Sequence, residues 1–204
     1  MSTWATDADL EYADQRSIDF LASSDELARK YASLVERSLA ALSTVDWVRE
    51  TLASCAVQVL PWFTGNRPVK TYGVCGPAYD ASAKMSLSAY LAGHWLTTLA
   101  HELRHVWQIQ VAKRSWADDA DLPYDERPCE KDAFATADLT VAEIDSEIVA
   151  DLTAEAVELD NEFADLWRIR EEQARRMRRR HALHQGETNW DPQQIIDKLL
   201  ADIG

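Results

Sequence analysis

Cysteine is scarce in this chain of 204 residues. Cys55, Cys75 and Cys129 are odd in number and far apart, which argues against a disulfide framework and reads as free thiols in a reducing compartment, the cytoplasm. Positive charge is short as well. Lys and Arg total 21 against 35 Asp and Glu, a formal net charge of −14. That balance argues against wholesale binding to nucleic acid or to an anionic membrane. No apolar run is long enough to cross a bilayer. The N-terminus has no basic-then-apolar signal pattern, since Asp7, Asp9, Glu11 and Asp14 come early. Neither a repeat period nor a low-complexity linker is present. What remains is a globular composition and a length suited to one compact domain with a real core.

Histidine is also rare, with five in the chain, yet two of them stand in one tight pattern. Within Thr98-Leu-Ala-His-Glu-Leu-Arg-His-Val-Trp-Gln108, residues His101, Glu102 and His105 form an HExxH. Helical residues four apart lie one turn above each other on one face. His101 and His105 can therefore offer two imidazole nitrogens to a single ion. Glu102 sits about 100° further round the helix, where its carboxylate can reach a water on that ion as a general base. The plain alternative is a surface helix carrying two His and a Glu. Leu96, Leu99, Ala100, Leu103, Val106, Trp107 and Val111 argue against it, because they make most of the helix apolar and predict a buried element. Charged and paired polar groups in such a helix need a partner, and a metal ion is one.

Along the chain, apolar spacing from Ser17 to Leu42 predicts a helix with Ser24 as a plausible N-cap, followed by a second helix from near Thr44 to Ser54. Ala56–Phe63 reads as a strand closed by Pro61 and the turn at 64–68. Val69–Cys75 reads as a second strand, with Gly76-Pro77 opening a loop. Lys84–Leu91 reads as a third. Residues 83–90 are a candidate open sheet edge onto which an extended peptide could add, or else an ordinary covered strand. Cys129–Asp138 predicts a helix starting just past Pro128, with Ala133, Ala135 and Ala137 permitting close approach of a neighbour. Thr140-Val-Ala-Glu143 matches a capping box and predicts the start of a long helix, acidic in its first half and arginine-rich over 168–180, closed by Gly186. A short last helix follows Asp191-Pro192. The expected fold is α+β and predominantly helical, with a small sheet ahead of the HExxH helix. The expected division is residues 1–138 for the metal-binding domain with its N-terminal helices. The charged helix and terminal helix of 139–204 are then expected to pack on it.

A catalytic zinc takes three protein ligands and keeps one position open. Gln108 and Val111 stand where a metzincin would have Gly and His, which excludes that subclass. His94, His181 and His184 are not natural partners for the pair. The helix after Pro128 offers Glu130, with Asp132, Glu126 and Cys129 as alternatives. HELRH at 101–105 followed by Glu130-x-x-Ala133-Phe134-Ala135 resembles the small gluzincin-type metallopeptidases. These include the compact zincins of phage and prophage regulatory loci, the ImmA/IrrE-like group. The resemblance covers roughly Lys70 to Asp138. It implies a zincin-like fold, Zn2+ held by His101, His105 and Glu130, Glu102 as general base, and hydrolysis of a peptide or protein substrate. Tyr79, Tyr90 and Tyr124 are candidates by type for stabilising an oxyanion. Asp132 and Asp138 are candidates for orienting the imidazoles. The rival expectation is a zincin-like binding or regulatory protein, contacting a partner, nucleic acid or a second copy through the charged C-terminal helix. Trp95, Trp107 and Trp116 either line a cleft or fill the core.

Overall fold

The computed structural model describes residues 24–63, 73–77, 84–91, 94–115, 119 and 121–185. The expectations for the N-terminal segment, the turn at 64–68, Tyr79, Trp116, Gly186 and the short last helix lie outside those residues. The described chain is predominantly helical α+β. Helix α1 spans Asp25–Leu42 and α2 spans Asp46–Ser54. Strands β1 (Ala56–Trp62), β2 (Gly73–Pro77) and β3 (Lys84–Tyr90) form one sheet. Helix α3 covers Trp95–Gln110, α4 covers Pro128–Glu143 and α5 runs over Ser146–Gln185. No helix among the described residues is long and apolar enough to cross a membrane.

Local chemistry explains most of these boundaries. Ser24 caps α1 as its sequence suggests, its Oγ accepting from the Leu27 amide at 3.3 Å, with Asp25 and Glu26 in the positive first turn. The sheet order is β1-β3-β2, with β3 parallel to β1 and antiparallel to β2. The strand offered as an open edge, or else as a covered strand, is the central one, paired with β1 from Lys84 to Tyr90 and with β2 from Met85 to Ala89. The prolines give the physical reason. Pro61 lies within β1 and Pro77 within β2, and a residue without an N–H is tolerated on an edge strand but not in the middle of a sheet. Pro77 is thus a strand residue opposite Met85, not the opening of a loop.

The capping box is also corrected. Thr140–Glu143 lies inside α4, because Thr140 is buried and its Oγ1 accepts from Trp47 Nε1 at 3.0 Å. The chain breaks instead at Ile144, which is extended. Asp145 then caps α5 by accepting from the Glu147 amide at 2.8 Å.

Helix α3 is the centre of the molecule. Trp95, Leu96, Leu99, Ala100, Leu103 and Val106 are all buried, and the helix packs on β2, β3, α2, α4 and α5. Of the three tryptophans, Trp95 is core, and its Nε1 donates to Ser38 on α1 at 2.7 Å. Ser38→Ala would leave that indole N–H buried without its acceptor, at a cost of about 1–3 kcal/mol. The expected readout is a lower urea midpoint with an unchanged slope; an unchanged midpoint would show that the bond contributes nothing.

Helix α5, about 60 Å long at 1.5 Å per residue, is anchored by its first half. Leu152, Ala156, Leu159 and Phe163 are buried, and Phe163 stacks on Phe63 at 4.5 Å. Lys30–Glu162 and Arg37–Glu155 ion pairs join it to α1. In the arginine-rich part, Arg168, Arg175 and Arg176 pair with Asp165, Glu171 and Glu172 one turn earlier. Exposed pairs of this kind contribute about 0.3–0.5 kcal/mol each, and each offsets one arginine charge locally.

Candidate metal centre

Helix α3 sets His101 and His105 one turn apart, with their Nε2 atoms 3.1 Å from each other. Helix α4 starts at Pro128, whose fixed φ suits the first helical position, and this puts Glu130 in the first turn. There the carboxylate faces α3. Glu130 Oε2 stands 3.3 Å from His101 Nε2 and 3.3 Å from His105 Nε2. The three residues are buried, at 7%, 6% and 5% exposure, and form a group able to hold a metal ion. Ala133 and Ala137, one and two turns after Glu130, are fully buried and let α4 approach α3 closely, whereas Ala135 is exposed.

Two buried atoms of this group have no hydrogen bond among the described residues: Glu130 Oε2 and His101 Nδ1. A carboxylate oxygen taken out of water without a hydrogen bond is costly, and here it is aimed at two imidazole nitrogens. Burial works against the charge on Glu130, yet the His101 and His105 imidazoles that face it, together with the Tyr124 hydroxyl, hold its carboxyl far below the ordinary range. Burial likewise disfavours a charged His105, but Glu130 and Glu102 outweigh it and raise the imidazole. Burial pushes the Glu102 carboxyl up to about 8, with His105 opposing and Glu130 adding to the shift. Two carboxylates thus share a dry site, an arrangement that favours a bound cation.

Each candidate from the sequence has a definite place. His101, Glu102, His105 and Glu130 come together. Asp132 is turned to Arg104, Glu126 is exposed, and Cys129 meets Asp119 through both its amide and its thiol. His94 is an exposed residue at the N-cap of α3. The side chains of His181, His184 and Tyr90 lie outside the described residues. Tyr124 does reach the site, donating to Glu130; burial and that carboxylate raise its phenol. Asp138 is exposed, while Asp132 acts on His105 through an intermediary, Gln108.

Three contributors were not legible as such. Gln108 Oε1 lies 2.9 Å from His105 Nδ1; the i,i+3 spacing on one helix was the available signal. Phe134, 52% exposed, lays its ring 4.3 Å from that of His101, one turn beyond Glu130. Gly73 on β2 faces Glu102 so closely that a Cβ there would overlap Glu102 Oε1 and come within 2.8 Å of Glu102 Cγ and Thr98 Cγ2. Sequence holds no local signal for that approach. The chain matches no protein-family model, no curated protein and no solved structure.

Proposed function

We propose that the protein is a zinc-dependent peptidase, with His101, His105 and Glu130 as ligands and Glu102 as general base. The observation that carries this reading is the triangle of ligand atoms, with sides of 3.1, 3.3 and 3.3 Å. Tetrahedral bonds of about 2.0–2.1 Å imply ligand-to-ligand separations of roughly 3.3–3.4 Å. Two imidazoles and one carboxylate are also a donor set of catalytic zinc sites, which keep a fourth position open. The HELRH and Glu130-x-x-Ala-Phe-Ala elements support the proposal of a small zincin of the gluzincin type.

Zinc bound there supplies Lewis acidity, acidifying water and polarising a carbonyl oxygen. The chain's own residues do the rest. Glu102 takes a proton from the attacking water as the water oxygen bonds to the peptide carbonyl carbon. It then returns the proton to the amide nitrogen as the C–N bond breaks. Tyr124 donates to Glu130 in the resting site, and its hydroxyl is proposed to turn from that carboxylate to the developing oxyanion. Gly73 leaves the space in which the Glu102 carboxylate sits. The proposed setting is the cytoplasm, in keeping with the free thiols of Cys55, Cys75 and Cys129.

The test is metal analysis of the purified chain beside peptide-library hydrolysis. One zinc per chain is expected, removed by chelator together with activity. Glu130→Ala should lose most of the bound zinc and all detectable hydrolysis. A wild type that takes up no zinc, or hydrolyses equally well without it, overturns the proposal.

A further inference from the structure

We propose that Gln108 is a positioning residue that holds His105 in its metal-binding tautomer and ties α3 to the start of α4. The inference rests on the metal reading above for its consequence, and on hydrogen-bond geometry alone for the tautomer. Gln108 is 3% exposed, and both ends of its side-chain amide are engaged. One end meets the Cys129 carbonyl oxygen at 2.9 Å and Asp132 Oδ2 at 2.8 Å. A carbonyl only accepts, and so does an ionised carboxylate, so the NH2 must be at that end. The amide oxygen therefore faces His105 Nδ1 at 2.9 Å. Nδ1 must then carry the proton. In the neutral ring this leaves the lone pair on Nε2, which points to His101 and Glu130.

The brace extends further. Asp132 is gripped at two points by Arg104, with Nε to Oδ2 at 2.8 Å and Nη2 to Oδ1 at 3.1 Å. Hydrogen bonding holds its carboxyl below the ordinary range against the opposing effect of burial. The Arg104 guanidinium lies 3.9 Å over the Trp107 ring, and Trp107 Nε1 donates to Glu50 at 3.1 Å. A cation–π contact and a two-point grip hold Arg104, and a lysine could not reproduce the two-point grip. Gln108 thus stands between two rigid partners, and one of them, the Cys129 carbonyl, belongs to the residue just before Glu130. The same amide that orients the His105 ring also joins α3 to the first turn of α4. His101 has no such brace: its Nδ1 has no hydrogen bond among the described residues, and its ring rests on Phe134. His105 is the pre-set ligand of the pair.

The experiment uses the full chain and two readouts. Nitrogen-15 NMR of zinc-free wild type, at a pH where the imidazole is neutral, should find the His105 proton on Nδ1. This needs no variant. Zinc affinity, by competition with a chromogenic chelator, should fall about 10–100-fold in Gln108→Leu, the usual range for loss of a ligand's hydrogen-bond partner. The same variant should lose the Nδ1–H preference. Gln108→Glu keeps an acceptor for His105 and should keep the tautomer. A His105 proton on Nε2 in wild type, or a folded Gln108→Leu with wild-type tautomer and zinc affinity, overturns the proposal. A wild type with Nδ1–H that binds no zinc would instead sink the metal reading and leave the tautomer assignment supported.

Discussion

Glu102→Gln should bind one zinc per chain with wild-type affinity and lose hydrolysis by roughly 10²–10⁴-fold, the range assigned to a positioned general base. Gln has nearly the shape of Glu, so the buried position after His101 stays filled, and the three proposed ligands are untouched. What disappears is a group that can accept and return a proton. Normal turnover in a zinc-loaded variant would remove Glu102 from the mechanism. The zinc-free protein carries a second signature. Burial raises the Glu102 carboxyl from 4.5 to about 8. In that window the folded chain holds a proton the unfolded chain releases, so this group costs the wild type stability as pH rises from about 4.5 to 8. A neutral amide at 102 escapes that cost. Zinc-free Glu102→Gln should therefore melt above zinc-free wild type at pH 8, with the gap closing towards pH 4; equal melting at both values would reject the buried-carboxylate account.

Gly73→Ala should be nearly as damaging to catalysis, although residue 73 is neither a proposed ligand nor a proton carrier. A methyl group there overlaps Glu102 Oε1 and crowds Glu102 Cγ and Thr98 Cγ2. The Cγ atom is not the far end of the side chain, so rotating the carboxylate alone cannot relieve the contact, and Glu102 or the strand must move. A displacement of about 1 Å in a catalytic group is associated with losses on the order of 10²-fold, and overpacking typically costs 1–3 kcal/mol of stability. The expected pattern is retained zinc, a KM close to wild type, and a kcat reduced about a hundredfold. A folded variant with undiminished kcat would mean that β2 does not set the position of the base.

Pattern and spacing account for much of the architecture. The Ser24 cap, the two N-terminal helices, three strands ahead of the HExxH helix, and a helix opening at Pro128 are all local features, each set by caps, period or proline within a few residues. The HExxH pair is local for the same reason, since one helical turn brings i and i+4 together. Where local reading went astray, a tertiary contact decided. The Thr140–Glu143 signature is a sound capping box in isolation, but Trp47 covers Thr140 and the helix continues to Glu143. For residues 84–90 the local pattern left an open edge and a covered strand equally open, and pairing with β1 and β2 decided for the covered strand. The prolines at 61 and 77 held that information, since each marks an edge.

The sequence by itself determined that this is a predominantly helical chain with two histidines on one buried helix face, a glutamate between them and a second acid at the head of a later helix. Those are consequences of period, composition and helix-start chemistry, which act over a handful of residues. Only the tertiary structure brought Glu130, the residue the sequence favoured over Asp132, Glu126 and Cys129, against the two imidazoles. It also decided that Gln108 dictates which nitrogen of His105 is bare, and that Gly73 makes room for the base. Each of these depends on how two elements distant in the chain are packed, and that distance is set by the fit of whole faces, which no short stretch of sequence encodes.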